Sequence, residues 1–142
     1  MQTDKNNIAR TVSILANEIR RRMDAMSAKT PYSGAQSRAL HFILANQDVA
    51  LYQKDIEAVF GLRPSSASSV LRKMEENGLI RREVCADDAR MKQIISTEQA
   101  KACSEQVLKD LEDLERDLVK GITEEEINTF FSVINQMTDN LR

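Results

Sequence analysis

The sequence is poor in the residue types on which most catalytic and metal sites depend. It contains one histidine, His41, no tryptophan and only four glycines. So few glycines do not allow a glycine-rich phosphate loop, and one histidine with two distant cysteines does not provide zinc ligands at metal spacing. His41 lies inside an apolar helical pattern, which makes it a poor base for a nucleophile. We therefore expect no enzyme, no metal and no cofactor.

Long apolar runs and cysteine clusters are missing as well. The longest apolar runs span only a few residues, which excludes a transmembrane helix, and the polar residues 1–10 lack a secretory signal. Cys85 and Cys103 do not make a disulfide framework. The 142 residues, of which 42% are hydrophobic and 30% charged, are typical of one folded domain with appended helices. We expect a cytoplasmic protein.

The net charge of −2 is unevenly distributed along the chain. Residues 1–60 and 61–97 each carry +2, whereas residues 98–142 carry −6. A basic middle segment fits a protein that binds a polyanion. The same distribution also fits a solvated acidic helix face with no bearing on partners, so charge alone leaves both interpretations open.

Apolar spacing predicts helices in the first third of the chain. Between residues 6 and 27, apolar side chains recur every three or four positions, which indicates one long amphipathic helix that ends at Thr30-Pro31. Ser33 and Gln36 have the spacing of a capping box, which predicts a second helix starting there.

The next segment has the pattern of a helix-turn-helix. Residues 49–51 allow a very short strand, and residues 53–60 predict a two-turn helix that buries Ile56, Val59 and Phe60. Gly61 stops that helix, since only glycine adopts a positive φ at little cost. Pro64 suits the first turn of another helix, which runs to about residue 77.

A β-hairpin follows the helix-turn-helix. Residues 79–84 and 91–96 partly alternate between apolar and polar, as expected for two short strands. The charged tip, residues 87–90, contains no glycine, so a tight two-residue turn is not expected. This hairpin would form a wing.

Two further helices end the chain. Ser96 and Gln99 cap a helix whose apolar stripe extends through Cys103 to Leu118, and Gly121 stops it. Thr123 and Glu126 cap the last helix. We expect that helix to bury Ile127, Phe130, Phe131, Ile134, Met137 and Leu141.

The terminal helices carry more apolar surface than a small winged domain needs. A second copy of the chain is the simplest cover for such a stripe, so we expect a homodimer. A two-fold dimer would place its two recognition helices about one turn of DNA apart, roughly 34 Å or a multiple of it.

From about Ser33 to Gly121, the sequence resembles the MarR family of winged helix-turn-helix transcriptional regulators. The segments that carry the resemblance are Gln53-Lys54-Asp55-Ile56, residues 64–75, Gly78-Leu79-Ile80-Arg81-Arg82, Asp88-Ala89-Arg90 and Ser96-Thr97-Glu98. The terminal helices match in pattern only. The resemblance implies a mainly α fold with a small β wing. The winged domain would span residues 33–97, between a dimerisation helix at 1–32 and dimerisation helices at 98–142.

The resemblance also implies a function. Members of this kind are homodimeric repressors of transcription that bind a pseudo-palindromic operator. Helix 64–77 would enter the major groove of double-stranded DNA, and the wing would enter the minor groove. A small aromatic or phenolic effector would bind between the dimerisation helices and the winged domain, where Arg10, Arg20 and Arg38 are candidate polar contacts.

Candidate DNA-binding residues follow from the same match. They are Gln53, Arg63, Ser65, Ser66, Ser68, Ser69, Arg72, Lys73, Asp88, Arg90 and Lys92. The serine hydroxyls suit base edges or phosphates, although Ser65 can equally cap its helix. A serine at position 69, where the family often has arginine, predicts little direct base readout and more dependence on the wing and DNA shape.

Within this set, Arg90 is the strongest candidate, because the resemblance places it at the wing tip, in the minor groove. Asp88 would orient its guanidinium through a charge-assisted hydrogen bond. Gln53 would donate to the DNA backbone, and Arg63, Arg72, Lys73 and Lys92 would contact phosphates.

Two alternatives stay open at this point. The serine-rich recognition helix and the acidic pI are compatible with a winged-helix module that binds proteins rather than DNA. A redox-responsive regulator based on Cys85 is the other alternative, because cations near the wing raise thiol reactivity. Cys103 lies on an apolar stripe, which is typical of a buried structural thiol.

Overall fold

The computed structural model describes residues 7–27, 32–88 and 90–142. These residues form seven helices and one two-stranded antiparallel sheet, which confirms the predicted mainly α fold with a small β wing. The elements are α1 (Ile8–Ser27), α2 (Gly34–Ala45), α3 (Gln53–Phe60), α4 (Pro64–Glu76), β1 (Ile80–Val84), β2 (Lys92–Ser96), α5 (Glu98–Ala102), α6 (Ser104–Leu118) and α7 (Glu124–Asn140). The predicted helix break at Thr30-Pro31 lies outside the described residues.

A close approach joins α1 to α2. Ser33 caps α2, its hydroxyl accepting from the Gln36 N–H at 3.2 Å, as predicted. At Gly34, the first residue of α2, an added Cβ would lie 2.9 Å from the Cβ of Met23 on α1. Met23 itself is buried. The absence of a side chain at position 34 therefore lets the two helices pack closely.

The Gln36 side chain departs from the predicted capping box. It is buried, and its Oε1 accepts a hydrogen bond of 2.9 Å from the side-chain amide of Asn77, just after α4. A buried amide requires a partner, and Asn77 supplies it. Gln36 thus connects α2 to the end of α4 instead of closing the cap of its own helix.

The helix-turn-helix forms as predicted, with α3 ending at a left-handed Gly61 (φ 60°) and α4 starting at Pro64. Ile56 of α3 and Ala67 and Leu71 of α4 are completely buried where these helices pack. The prediction for Val59 is wrong, because its side chain is 52% exposed. One face of this short helix contacts the core, and Val59 does not lie on it.

The wing is an antiparallel pair in which Arg82 lies opposite Ile94. The predicted strand at residues 49–51 is reduced to a single bridge, in which the Ile94 N–H donates to the Leu51 carbonyl at 2.8 Å. Residues 85–91 connect the strands, so the tip is longer than a two-residue turn, as predicted. The Leu51 bridge attaches the wing to the segment that leads into α3.

The predicted helix from residue 96 is wrong in two details. Its cap is Thr97, whose hydroxyl accepts from the Ala100 N–H at 3.2 Å, rather than Ser96. The helix also breaks at Cys103 into α5 and α6. At the break, the Ser104 hydroxyl donates to the Lys101 carbonyl at 2.7 Å, and such local side-chain bonds compete with the helical ladder.

The chain divides into two compact units, the first ending at Asp110 and the second comprising Leu111–Arg142. In the second unit, Thr123 and Glu126 form the predicted capping box of α7. The burial predicted for α7 is wrong for the single chain, since none of its residues is buried. Phe130 and Phe131 are 48% and 55% exposed. Among the described helices, none is long and apolar enough to cross a membrane.

Candidate nucleic-acid interface

Gln53 connects three parts of the predicted interface. It is the first residue of α3, and its side-chain Nε2 donates to the Pro64 carbonyl at 3.1 Å, at the start of α4. The same nitrogen donates to the Glu57 carboxylate at 3.3 Å. Gln53 also lines a cleft to which the wing contributes Arg90. The start of α3 therefore lies beside both the start of α4 and the wing tip.

The start of α4 presents hydroxyl groups without intramolecular partners. Arg63 occupies the cap position, and its side chain makes no capping hydrogen bond. Ser65 and Ser66 are exposed, and Ser68 and Ser69 are half-buried. Within the described part of the chain, none of these four hydroxyls has a hydrogen-bond partner. Ser65 is therefore not a cap in this structure, and the exposed Ser65 and Ser66 hydroxyls are open to an external acceptor or donor.

The basic side chains further along α4 are open to solvent. Arg72 and Lys73 are exposed, and neither forms an ion pair with any described residue. The buried face of α4, by contrast, consists of Ala67, Leu71 and Met74. Both cations consequently lie outside the packed face of the recognition helix.

At the wing tip, the contact between Asp88 and Arg90 differs from the expected one. The Asp88 Oδ1 accepts a hydrogen bond of 2.9 Å from the backbone N–H of Arg90, not from its guanidinium. Aspartates often bond the backbone two residues ahead, which stabilises a turn. Asp88 therefore fixes the main chain of the tip. The Arg90 guanidinium is exposed and forms no ion pair with the described residues.

A basic cleft of about 210 Å³ lies between the start of α3 and the wing. Its lining comprises Tyr52, Gln53, Lys54, Arg82, Arg90, Met91 and Lys92. Four of these seven side chains are cationic, and no acidic side chain among the described residues lines the cleft. Such an arrangement attracts an anion and has no internal carboxylate to neutralise it. We call this feature the α3–wing cleft.

Arg82 differs from the other cations of the α3–wing cleft because it is already paired. Its Nη2 and Nε lie 3.0 and 3.3 Å from the Glu75 Oε1, near the end of α4. The Arg82 side chain is only 19% exposed. The pair joins the end of α4 to strand β1 at the edge of the cleft.

Tyr52 forms the wall of the cleft next to Cys85. Its backbone N–H donates to the Asp55 Oδ2 at 2.8 Å. Partial burial raises the pKa of Tyr52 above its ordinary value of 10.0. The nearby Cys85 thiol, through charge and a hydrogen bond, and the carboxylates of Asp55 and Asp87 raise that pKa further. The phenol accordingly stays neutral at physiological pH.

Four residues of the cleft lie outside the predicted set of DNA-binding residues: Tyr52, Lys54, Arg82 and Met91. Lys54 and Arg82 belong to the segments that carry the family resemblance, whereas Tyr52 belongs to none of them. Nothing in the local pattern marks Lys54, because an exposed lysine in the first turn of a helix is common. That Lys54 lines the same cleft as Arg90 appears only when the wing is placed against α3.

Among the described residues, no group of three or more histidine, cysteine, aspartate or glutamate side chains could hold a metal ion. The described interface instead consists of hydroxyls, amides and cations on the α4 start, the α3 start and the wing. A helix-turn-helix followed by a two-stranded wing defines a winged helix-turn-helix protein.

Comparison with known proteins places the chain within that class. Residues 31–91, which include α2 to α4 and β1, match the MarR family model. Over that segment the chain is similar to the MarR family.

Solved structures of low sequence identity share the fold. The S. aureus MepR–DNA complex is 23% identical, with a TM-score of 0.88, over 99% of this chain and 100% of that one. The transcription regulator MarR from Oenococcus oeni PSU-1 is 23% identical, with a TM-score of 0.85, over 94% and 99%. A MarR family regulator from Listeria monocytogenes, complexed with a 26mer DNA, is 19% identical, with a TM-score of 0.82, over 96% and 89%.

Proposed function

We propose that the protein is a homodimeric, ligand-responsive repressor of transcription that acts in the cytoplasm and has no catalytic activity. It binds a pseudo-palindromic operator in double-stranded DNA. Residues 64–77 enter the major groove, and the wing enters the minor groove. The DNA-bound structures of MepR and of the Listeria regulator support this proposal, because their fold is the same.

The observation that carries the proposal is the position of Gln53. Gln53 donates to the Pro64 carbonyl at 3.1 Å and lines the α3–wing cleft. The serine-bearing start of α4 and the cationic wing tip therefore lie on either side of α3. A DNA duplex presents a major groove and a minor groove side by side. One continuous surface can therefore contact both grooves of the same duplex.

Roles within this surface follow from exposure and charge. Ser65, Ser66, Ser68 and Ser69 contact base edges or phosphates, and Arg90 enters the minor groove. Arg63, Arg72, Lys73 and Lys92 contact phosphates, which fix the register of the protein but carry no sequence information. Asp88 contributes by holding the tip main chain, and Gln53 by holding α4 against α3.

The exposed apolar faces support the homodimer. On α1, Ile8, Val12 and Leu15 are 59%, 44% and 44% exposed, and on α7 Phe131 is 55% exposed. A single chain gains nothing from leaving large apolar side chains in water, whereas a second copy buries them. The terminal helices are accordingly proposed as dimerisation segments.

The ligand response rests on the resemblance to the MarR family. Among the candidate contacts, the Arg38 guanidinium lies 6.0 Å from the centre of the Phe60 ring, and Arg20 donates to the Asn17 side chain at 2.8 Å. Both contacts leave a charged group able to receive an anionic aromatic effector. We propose that such an effector releases the protein from DNA.

Fluorescence anisotropy with the protein's own upstream DNA tests the function. Binding should be sequence-selective against a scrambled competitor and should weaken steeply with salt, because bound phosphates release counterions. Weak binding that ignores both sequence and salt would instead favour the protein-interaction module. A phenolic compound that lowers the anisotropy at fixed salt would establish the ligand response.

A second candidate, the redox-responsive regulator, is favoured by one contact. The half-buried Cys85 thiol lies against Tyr52, which lines the α3–wing cleft. Oxidation at Cys85 would place a charged or bulky group beside the proposed DNA surface. Mild peroxide should then weaken DNA binding by the wild type and leave Cys85→Ser unaffected. Equal responses of the two proteins would eliminate this candidate.

A further inference from the structure

We infer that the α3–wing cleft holds a phosphate of the DNA backbone, and that Lys54 is a phosphate-binding residue of this protein. The inference rests on the proposed function and adds a site to it. Lys54 is exposed in the first turn of α3 and forms no ion pair with any described residue.

The charge of the cleft defines the chemistry of its occupant. Lys54, Arg90 and Lys92 line it with no described carboxylate opposite them. Arg82, the fourth cation, is held by Glu75 at 3.0 Å and is largely shielded from solvent. Because Arg90 is assigned to the minor groove, Lys54 and Lys92 are the two uncommitted cations of this open depression, and they suit a phosphate diester better than a neutral ligand.

The start of α3 adds to this preference. The N-terminal end of a helix carries partial positive charge, and its first N–H groups lack helical partners. The carboxylate of Asp55 is directed to the backbone N–H of Tyr52, at 2.8 Å. That carboxylate is not part of the cleft lining.

The position of the cleft identifies the source of the phosphate. In the proposed complex, α4 lies in the major groove and the wing lies in the adjacent minor groove. The sugar–phosphate backbone is the wall that separates these two grooves. The cleft lies between the start of α3, which is bonded to the start of α4, and the wing tip. The strand that passes between the grooves must therefore cross it.

Arg82 acts here as a positioning residue. Its pair with Glu75 links β1 to the end of α4, so it fixes the wall of the cleft from which Arg90 and Lys92 project. Lys54 belongs to the opposite wall. The predicted contact is thus made jointly by two elements that are distant in sequence.

The experiment measures operator affinity over a salt series for the full-length protein and for Lys54→Gln. The variant should bind roughly fivefold to tenfold more weakly at low salt, and the slope of log affinity against log salt should fall by about one. Because a phosphate carries no sequence information, affinity for scrambled DNA should fall by the same factor.

Lys109→Gln is the matched control, because Lys109 is exposed on α6 and its loss changes the net charge equally. Equal effects of the two substitutions would overturn the inference while leaving DNA binding itself intact. A wild-type protein that binds DNA without salt dependence or selectivity would overturn both the inference and the proposed function.

Inorganic phosphate provides the last arm of the test. If the cleft binds a free anion rather than a strand, millimolar phosphate should protect the wild type against thermal unfolding and should not protect Lys54→Gln. That result, combined with an unchanged salt slope for DNA, would overturn the assignment to the DNA backbone.

Discussion

Arg82 and Glu75 form an ion pair, with 3.0 Å between Nη2 and Oε1, that joins the first strand of the wing to the end of the recognition helix. A partly shielded pair of this kind is worth more than a fully exposed one, because solvent screens it less. It holds two elements of the proposed DNA-binding surface, α4 and β1, relative to each other.

Glu75→Gln should lower the free energy of unfolding by about 1 kcal/mol and weaken DNA binding, although it removes a negative charge. Denaturant titration and anisotropy measure the two effects. Reversal of the pair, Glu75→Arg with Arg82→Glu, should recover part of the stability that either single change loses. Tighter DNA binding by Glu75→Gln would show that Glu75 acts only as a repulsive charge.

Arg90→Ala should weaken operator binding by about 1–3 kcal/mol, because an exposed guanidinium at the wing tip is lost. Its unfolding midpoint should change little, since the side chain is exposed and forms no ion pair with the described residues. Arg116→Ala removes an exposed arginine from α6 and provides the control. An unchanged affinity at fixed salt would contradict the assignment of the wing to DNA.

The α7 face predicts a dimer that aspartates can disrupt. Phe130 and Phe131 pack edge to face, with ring centres 5.5 Å apart, yet both remain half exposed in the single chain. Phe130→Asp with Phe131→Asp should convert a dimer into a monomer by light scattering, because two charges would replace apolar contacts. Ser132→Asp, an exposed change on the opposite face of the same helix, should leave the mass unaltered. A monomeric wild type would refute the prediction directly.

Gly34→Ala should destabilise the fold by about 1–3 kcal/mol, even though alanine is normally the better helix former. The added methyl group would meet the Met23 Cβ at 2.9 Å and force α1 away from α2. Circular dichroism during denaturant unfolding measures the loss. Ala35→Ser, at the exposed neighbouring position, should cost far less, and equal losses would show that the close approach is unimportant.

Tyr52 should ionise at a higher pH than an ordinary tyrosine, since its pKa is raised in the folded protein. The stabilisation linked to its neutral phenol is present below pH 10.0, and it is lost as the pH rises through the raised pKa. Tyrosinate absorbance in a Tyr32→Phe background isolates this residue. Cys85→Ser should lower the pH midpoint of Tyr52 ionisation, because Cys85 is one of the groups that raise the Tyr52 pKa. An unchanged pH midpoint in Cys85→Ser would show that Cys85 does not affect the pKa of Tyr52.

Local signals in the sequence were enough to place most of the elements. Gly61 and Pro64 marked the turn between α3 and α4, and Thr123 with Glu126 marked the start of α7. The groups that cap or stop a helix interact with backbone groups only three or four residues away. Both partners are therefore close together in the sequence. The errors at Ser96 and Cys103 are local as well, because the Thr97 hydroxyl caps α5 one residue later and the Ser104 hydroxyl bonds the Lys101 carbonyl at the helix break.

The tertiary structure alone decided how these elements combine. The sequence supplied the residue types of the interface, including the serines of α4 and Arg90 of the wing. It could not show that Lys54 lies across a cleft from Arg90, or that Arg82 is held by Glu75. Those relationships depend on the Leu51 bridge to Ile94 and on the packing of α3 against the sheet. Contacts between distant segments are set by the shape of a shared core, which no local pattern encodes.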